Sequence, residues 1–516
     1  MTSTWQPNKV EQERLEKAHR LQELGIELYP RRVERTHTCA KAIAAYQTRE
    51  AEDAEAASSI QVTVCGRIRR ANIKGKVSFM HIEDESGRVQ LFLRVNDMDE
   101  KIYECVKEKL IEMDDYVQAS GTMMRTQAGE ISVRVTDLKL LSKALSPLPV
   151  IKQQVLEDGT IKEYGEFSDV ETRYRQRYAD LAVNYDVREV FRKRARTISA
   201  VRRFLDNEGF IEVETPILQP IYGGAAARPF VTHHNQLDQD LFLRISFELY
   251  LKRLLVGGYD AVYEIGRDFR NEGVSFKHNP EFTQMEFYKA YIDYNEVMRL
   301  VERMVAFTAE QVNGTTQVEY QGKQIEFAPP WHRITLRDAI KQFAEIDYMD
   351  YRDGESLTQV LHSIGDKVAP GQTWGKLVDH LLGKYVEPNL IQPTFLTDYP
   401  RDISPFAKRV EYDDFHVERF EMFIAGMELG NAFTELNDPL DQEQRFLDMQ
   451  RLYADEDDEA APLDVDYLRA MRYGMPPNGG FGMGIDRLAM LLTGQRSIRD
   501  VVLFPHLRPH LRPESD

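Results

Sequence analysis

The sequence predicts an α+β protein in which a small β-barrel precedes a larger domain built on an antiparallel sheet flanked by helices. Three observations lead to this prediction. At 516 residues the chain exceeds the size at which one hydrophobic core keeps growing, so two or three domains are expected. Its first part contains strand-like segments in a definite order, and its remainder mixes strands and helices without a regular βαβ repeat.

Charge and cysteine content argue against several classes of protein. No run of about 18 apolar residues occurs, so we expect no membrane-spanning helix. The net charge of −18 disfavours indiscriminate nucleic-acid binding, although a local basic face remains compatible with it. The three cysteines show no metal-ligand spacing, and the polar N-terminus lacks the apolar core of a secretory signal. We therefore expect a cytoplasmic protein without disulfides or a zinc site.

The first domain is predicted from five strand-like segments, with one helix between the third and the fourth. A helical extension over residues 1–59 precedes them and contains a helix that ends at Gly25. The strands occupy residues 60–145, and their order matches the OB-fold, a small barrel that often binds oligonucleotides. Phe79 and Gln90 on the second and third strands are placed to contact bases. The alternative puts Phe79 in the barrel core and leaves Gln90 merely exposed.

The larger domain is predicted after a linker over residues 146–185, which begins with the stretch SPLPV. Helices are expected around residues 171–208. The domain itself covers residues 186–516, and within it residues 294–400 form an insertion that is largely helical in pattern.

The segment FRNEGVSFKHNPEFTQMEFYKAY, residues 269–291, carries the most informative pattern. In its second half Phe282, Gln284, Glu286 and Tyr288 fall on one face, because strand side chains alternate with period two. Cations, an aromatic ring and a carboxylate are therefore presented on one side of a predicted hairpin. Such a set suits a triphosphate, a purine and a small cationic group. The alternative is an ordinary hairpin with a charged turn.

Two carboxylates, Glu421 and Glu428, flank a predicted turn at Ala425–Gly426. Carboxylates brought together in this way repel each other unless a cation joins them, and oxygen ligands beside a phosphate favour Mg²⁺. Glu428 has the wrong strand parity to share a face with Glu435 unless the strand bulges. We therefore predict a bulge near Gly430.

Two further segments complete the candidate set. Glu248 begins an apolar helix, where helix capping is the plain alternative to a binding role. Arg487 follows a Gly-x-Gly pair in NGGFGMGIDRLAMLLTG. This segment has neither the spacing of a dinucleotide fingerprint nor the Gly-Lys-Ser/Thr of a P-loop.

Taken together, these segments resemble the class II aminoacyl-tRNA synthetases. FRNEG with KHNPEF and GMGIDRL are similar to motifs 2 and 3 of that class, and FIEVETPIL resembles motif 1, with Pro216 as its proline. A preceding OB barrel is typical of the subgroup that charges lysine, aspartate or asparagine. The segments RYRQRYADL, GGAAARPFVTHHN, ELYLKRLLVGG and GNAFTELND are similar to bacterial lysyl-tRNA synthetases. The resemblance runs from about residue 9 to residue 507.

The resemblance implies ATP-dependent ligation of L-lysine to tRNA(Lys) through a lysyl-adenylate, with release of AMP and pyrophosphate. It implies a cytoplasmic homodimer formed through the motif 1 region and no membrane partner. Up to three Mg²⁺ ions are expected to accompany ATP. Two other interpretations are a paralogue that lysylates a protein acceptor, which typically lacks the barrel, and a catalytically silent RNA-binding protein on the same fold.

The resemblance also implies a role for individual residues. Arg270 would bind the α-phosphate and the lysine carboxylate, Phe282 would stack on adenine, and Arg487 would cover the other face of the ring. The implied ATP-binding residues are Arg270, Glu272, His278, Phe282 and Arg487, of which Arg270 and Arg487 are catalytic. The implied lysine-binding residues are Gly224, Glu248, Glu286, Tyr288, Asn431, Phe433 and Glu435. The implied Mg²⁺ ligands are Glu421 and Glu428, and the implied anticodon contacts are Phe79, Gln90 and Glu130.

Substrate choice follows from charge. A buried lysine ammonium needs carboxylate and hydroxyl acceptors, which Glu286, Tyr288 and Glu435 supply. An aspartate site would need a cation at its floor, and we expect none among these positions. Five residues depart from the pattern of the resembling family: Asn72, Phe247, Lys277, Met427 and Ala432.

Overall fold

The computed structural model describes residues 5–149, 152–155, 161–164, 167, 169–369, 371–452 and 462–508. It divides the chain into two compact units, Met1–Ser168 and Asp169–Asp516. Within the described ranges, no helix is both long and apolar enough to cross a membrane.

The first unit is built around a closed five-stranded barrel, which confirms the predicted OB-fold. The strands neighbour one another in the order β1-β2-β3-β5-β4, and the helix α4 lies in the chain between β3 and β4. The helices are α1 (Lys9–Glu23), α2 (Cys39–Glu52), α3 (Ala54–Ala57) and α4 (Glu100–Lys107), and the strands are β1 (Gln61–Lys74), β2 (Val77–Asp84), β3 (Gly87–Arg94), β4 (Tyr116–Arg125), β5 (Ile131–Ser142), β6 (Lys152–Val155) and β7 (Ile161–Tyr164).

Alternating burial along the strands fills the barrel. Val64, Ile82 and Leu91 point inward and are fully buried, whereas their neighbours along each strand are more exposed. The helix α1 ends near Gly25, as predicted, and Gly25 adopts the left-handed conformation that favours glycine after a helix.

A second feature of the barrel is a buried lysine. The Nζ atom of Lys143 donates to Glu112 Oε1 (2.8 Å), to Asp115 Oδ2 (3.0 Å) and to the carbonyl of Leu110 (3.0 Å). Backbone N–H groups of Glu112 and Ala144 donate to the two oxygens of Asp115. Every charge in this group is therefore paired, as burial requires.

The second unit contains a mixed eight-stranded sheet with helices. Its helices are α5 (Val170–Arg175), α6 (Arg177–Val183), α7 (Tyr185–Asn207), α8 (Glu248–Val256), α9 (Tyr294–Asn313), α10 (Leu336–Ala344), α11 (Gly354–Ser363), α12 (Trp374–Leu381), α13 (Pro439–Leu452), α14 (Val465–Arg472), α15 (Ile485–Thr493) and α16 (Ile498–Val501). Its strands are β8 (Ile211–Glu212), β9 (Leu218–Gln219), β10 (Val231–His234), β11 (Gln239–Leu243), β12 (Ala261–Phe269), β13 (Glu281–Ala290), β14 (Gln317–Tyr320), β15 (Lys323–Glu326), β16 (His332–Thr335), β17 (Thr394–Pro400), β18 (His416–Ile424), β19 (Met427–Thr434) and β20 (Asn478–Gly484).

The order of strands in that sheet is β16-β17-β18-β19-β20-β13-β12-β8. Its central pairs are antiparallel, as predicted, and the pairs at the two edges, β16–β17 and β12–β8, are parallel. Residues 294–400 hold the helices α9–α12 but also the strands β14–β17, and β16 and β17 join the main sheet.

One face of the sheet is covered by α7, α9 and α15. Side chains of these helices form the main core with the odd-numbered residues Met285 and Phe287 of β13 and with Phe481 of β20. The even-numbered residues of β13 therefore face away from these helices. This is the alternation that the sequence predicts for residues 282–288.

The hairpin between β18 and β19 has the predicted turn and the predicted bulge. Ala425 and Gly426 both have positive φ, as a two-residue hairpin of type I′ requires. Met422 pairs with Gly430 and Phe423 pairs with Glu428, so Leu429 is the extra residue of the bulge. The bulge turns Leu429 into the core and leaves Glu428 on the open face.

Candidate active site

A cavity of about 330 Å³ opens on the face of the sheet that the helices do not cover. It is lined by every residue predicted for ATP and lysine binding: Gly224, Glu248, Arg270, Glu272, His278, Phe282, Glu286, Tyr288, Asn431, Phe433, Glu435 and Arg487. Glu428 also lines it, whereas Glu421 does not. The strands β13, β19 and β20 and the start of α8 bring these residues together from distant parts of the chain.

One end of the cavity is cationic and aromatic. The guanidinium of Arg270 lies 5.1 Å from the centre of the Phe282 ring. Arg487 Nη2 lies 3.2 Å from His278 Nε2, and Ser275 Oγ lies 2.8 Å from His278 Nδ1. Burial and the neighbouring Arg487 and Lys277 lower the pKa of His278 to about 4. His278 is therefore neutral at physiological pH, and its ring nitrogens accept or donate hydrogen bonds without adding charge.

Asp486 fixes the position of this cationic end. Its Oδ2 accepts a hydrogen bond from the backbone N–H of Thr283 (2.8 Å), and its Oδ1 pairs with Arg194. Asp486 lies in the first turn of α15, directly before Arg487. The start of α15 is thus tied to both β13 and α7, which places the Arg487 side chain over the cavity.

The other end of the cavity is acidic. Glu286 is fully buried and accepts hydrogen bonds from Ser246 Oγ (2.8 Å), Gln284 Nε2 (2.7 Å) and the hydroxyl of Tyr288 (3.2 Å). Burial, together with the charge of Glu248, raises the pKa of Glu286 to about 7. Three donors therefore hold the carboxylate in one orientation, but they do not neutralise it.

Glu248 and Glu435 share a buried cation, Lys252. Lys252 Nζ lies 2.6 Å from Glu248 Oε1 and forms a second ion pair with Glu435. The sequence analysis placed no cation among the predicted pocket positions, and Lys252 was not one of them, but its ammonium contacts two of their carboxylates. Capping is not the role of the Glu248 side chain, because that side chain reaches one turn along α8 to Lys252.

Two positions of β20 at the acidic end of the cavity require glycine. A Cβ atom at Gly480 would overlap the ring of Tyr288 and Oε1 of Glu435, and one at Gly482 would lie 3.1 Å from Gln284 Nε2. Backbone can approach the acidic residues this closely only without side chains. Gly224 meets the same end of the cavity with a positive φ.

The two predicted metal ligands lie on opposite strands of the β18–β19 hairpin. Glu421 is buried, accepts a hydrogen bond from Tyr399 (2.8 Å) and pairs with Arg419, whereas Glu428 is partly exposed and lies 3.5 Å from Arg487. Burial raises the pKa of Glu421 to about 7, with Arg419 opposing the shift and Glu428 adding to it. Among the described residues, no group of three His, Cys, Asp or Glu side chains could hold a metal by itself.

The first unit has a groove on the outside of its barrel. Phe79 is on the outer face of β2, 5.5 Å from the ring of Phe92, so it is not part of the barrel core. Glu130 accepts from Gln90 Nε2 (2.6 Å) and lies 2.8 Å from His81 Nε2. Phe79, Gln90 and Glu130 line this groove together, and so does Asn72.

The other departures from the family pattern fall into two groups. Phe247, Met427 and Ala432 are buried, and Phe247 packs its ring 4.1 Å from the guanidinium of Arg244. Lys277 lines the cavity near His278. None of these residues replaces a carboxylate at the acidic end.

Lys252 and Ser246 were missed by the sequence prediction. The only signal for Lys252 was its i,i+4 spacing from Glu248, which usually indicates an exposed helix pair. Ser246 carried no signal, because its contact with Glu286 joins residues forty positions apart.

Comparisons with known proteins agree with this geometry. A family model described as tRNA synthetases class II (D, K and N) matches residues 169–508, and one described as an OB-fold nucleic acid binding domain matches residues 62–141. The chain therefore belongs to the class II aminoacyl-tRNA synthetases, in the subgroup for aspartate, lysine and asparagine.

Relatives that are similar over nearly the whole chain identify the family within this class. A lysine–tRNA ligase of Roseiflexus sp. (strain RS-1) is 52% identical over 97% of this chain and 99% of the relative. Lysine–tRNA ligases of Chloroflexus aurantiacus and Moorella thermoacetica are 50% and 49% identical, over 97% and 96% of this chain and 98% and 97% of their own lengths. Within the class, the chain is a member of the lysine–tRNA ligase family.

Proposed function

We propose that the cavity of the second unit carries out the reaction of this family, the ATP-dependent attachment of lysine to tRNA. The observation that carries the proposal is the separation of charge within one cavity. Arg270, Arg487 and Phe282 suit a nucleotide at one end, and the buried carboxylates of Glu286 and Glu435 suit an ammonium group at the other.

The chemistry needs positioning more than proton transfer. Lysine attacks the α-phosphorus of ATP with its carboxylate, which is already ionised, so no general base is required. A bond forms between a carboxylate oxygen and phosphorus while the bond to pyrophosphate breaks. Arg270 would hold both the α-phosphate and the lysine carboxylate, and Arg487 would balance charge on the distal phosphates. The lysyl-adenylate then passes lysine to the terminal ribose of tRNA and releases AMP.

The residues at the β18–β19 hairpin fit Mg²⁺. The charge of Glu428 adds to the raised pKa of Glu421, a repulsion that a divalent cation would relieve, and oxygen donors are the ligands that Mg²⁺ prefers. We propose that Glu421 and Glu428 hold Mg²⁺, up to three ions in all, with the phosphates of ATP completing the ligand set. When bound, Mg²⁺ would neutralise phosphate charge.

For tRNA, we propose that the barrel, residues 60–145, binds the anticodon through the groove lined by Phe79, Gln90 and Glu130. The aromatic ring offers a stacking surface, and the amide and carboxylate offer hydrogen bonds to base edges. The catalytic domain would cover residues 186–516. The presence of the barrel disfavours a protein acceptor.

We also propose a homodimer formed through the motif 1 region. Three apolar side chains of this region, Ile211, Ile217 and Leu218, are exposed by 51%, 45% and 48%, and a second subunit would cover them. Light scattering should give twice the chain mass of 59.8 kDa, and a value equal to the chain mass would contradict the proposal.

Lysine-dependent ATP–pyrophosphate exchange, followed by charging of tRNA with labelled lysine, tests the function. Both should occur. Exchange without charging would favour the protein-acceptor paralogue. Failure of both would leave only the catalytically silent RNA-binding protein.

Glu286→Gln should raise the KM for lysine by about ten- to a hundredfold and leave the KM for ATP nearly unchanged. The reason is that a charge-assisted hydrogen bond is worth about 1.5–3 kcal/mol. Glu264→Gln is the matched control, because Glu264 is a buried glutamate opposite Glu286 on β12 that does not line the cavity. It should leave the lysine KM unchanged.

The pH profile supplies a second readout of the same variant. Glu286 and Glu435 have pKa values raised to about 7 and about 8, and they must be ionised to accept an ammonium. The kcat/KM for lysine should therefore rise as pH increases through 7 and 8. Equal effects of Glu286→Gln on the lysine and ATP constants, or a profile that is flat over this range, would contradict the assignment.

Glu428→Ala should raise the Mg²⁺ concentration needed for half-maximal exchange several-fold, because one oxygen ligand is lost. Glu418→Ala on the same hairpin is the control, since Glu418 alternates onto the side of β18 that carries the core residues Phe420 and Met422, opposite to Glu421. A Mg²⁺ titration unchanged by Glu428→Ala would refute the ligand role.

A further inference from the structure

A fully buried lysine lies beneath the acidic end of the cavity, and none of the roles above uses it. Lys252 is on α8, one turn after Glu248, and its ammonium contacts both Glu248 and Glu435. Neither Lys252 nor Glu435 has exposed side-chain surface. The ring of Phe406 lies 4.9 Å from Lys252 Nζ and closes the site on an apolar side.

The ammonium is surrounded by groups from every element packed against it. The titratable and charged groups that face it or its partners are Glu248 of α8, Glu286 and Tyr288 of β13, Glu435 after β19, Tyr467 of α14, and Arg419 of β18, whose charge acts on Glu248. Burial lowers the pKa of Lys252, but the charges of Glu248 and Glu435 outweigh burial and raise it above its ordinary value. Lys252 is therefore charged whenever the pocket binds substrate.

The balance of charges at the acidic end of the cavity indicates what Lys252 does. When the three buried carboxylates, Glu248, Glu286 and Glu435, are all ionised, they and the one ammonium give the acidic end of the cavity two negative charges. Free lysine carries two ammonium groups, and its carboxylate meets Arg270 in the function proposed above. The two ammonium groups of one bound amino acid would therefore bring the net charge at the acidic end to zero. Such a balance matters because buried charges are tolerated only when they are paired.

Hydrogen bonding leads to the same conclusion. Glu435 Oε2 pairs with Lys252, whereas its Oε1 has no hydrogen-bond partner in the part of the chain that the structure describes. The ion pair thus holds the carboxylate in place while Oε1 stays open. A substrate ammonium, which has three donors, would use it.

We propose that Lys252 is a positioning residue for the amino-acid substrate. It favours the ionised forms of Glu248 and Glu435 and holds both carboxylates in fixed places, and it sets the charge of the acidic end to match a diammonium amino acid. This inference rests on the proposed lysine-binding role of the cavity.

Support comes from the direction of the pKa shifts. Burial raises the pKa of Glu435 to about 8, and Lys252 opposes that rise. Burial also raises the pKa of Glu248, again against Lys252. Removal of Lys252 would raise both pKa values further, so binding of lysine would have to displace a proton from the pocket.

The test is the pH profile of lysine-dependent exchange for Lys252→Met. At neutral pH the lysine KM should rise at least about tenfold, and the ATP KM should stay within about twofold. The acid limb of kcat/KM for lysine should move to higher pH by about one unit, so that the defect shrinks as pH increases. A merely structural role would lower activity without moving this limb.

Lys143→Met is the matched control, because Lys143 is also fully buried between two carboxylates but belongs to the barrel unit. It should leave the lysine KM and the acid limb unchanged. Lys252→Gln is the second variant if Lys252→Met fails to fold by circular dichroism, and the same shift is expected of it.

The outcomes separate the two proposals. Wild-type protein without lysine-dependent exchange would refute the proposed function itself. Exchange by the wild type, with an unshifted acid limb and unchanged lysine KM in the folded Lys252 variant, would overturn the role of Lys252 alone. A fall in kcat with an unshifted limb would also overturn it.

Discussion

Burial of like charges under one end of a cavity is the constraint on which the second unit depends. Glu248 belongs to α8, Glu286 belongs to β13 and Glu435 directly follows β19, and all three are removed from water. Each would cost several kcal/mol if left unpaired. Hydrogen-bond donors around Glu286 and the ammonium of Lys252 offset part of this cost. The negative charge that they do not neutralise can be paired by a cationic substrate. The stability of this region and its proposed binding function are therefore linked.

The arrangement of strands makes such a site possible. The strand β20 lies between β13 and β19, and its glycines let those two strands present their side chains across it without obstruction. The other face of the same three strands is apolar and packs against α7, α9 and α15. Because successive side chains of a strand point to opposite faces, one face of the sheet lines the charged cavity and the other belongs to the hydrophobic core.

Sequence patterns predicted what depends on local geometry. The face shared by Phe282, Glu286 and Tyr288 follows from period-two alternation, and the bulge at Leu429 follows from the parity of Glu428 and Glu435. Motif resemblance then brought in residues from other segments. What the sequence could not show was which charges meet in the interior. Lys252 was missed because its spacing from Glu248 is equally compatible with an exposed helix face.

Glu421 is a second residue whose interior contacts the sequence could not predict. It was predicted as one of a carboxylate pair, and the charge of Glu428 does add to the rise in the pKa of Glu421. However, its side chain is buried against Tyr399 and Arg419 and does not line the cavity. The position of Glu421 on the hairpin was predictable from the turn. Its cationic partner lies two residues away on the same strand, and only the packed structure shows that the two side chains meet.

The two lysines that are buried among the described residues show how a structural ion pair differs from one proposed to position a substrate. Lys143 and Lys252 each contact two carboxylates and have no exposed surface. Around Lys143, backbone N–H groups also donate to Asp115, so its local hydrogen bonding is complete without a ligand. Around Lys252, Oε1 of Glu435 has no hydrogen-bond partner among the described residues, and Glu435 lines the cavity proposed to bind the substrate. Burial and ion pairing alone therefore do not identify a functional lysine. The distinguishing feature is a partner whose hydrogen bonds are left incomplete toward an open cavity.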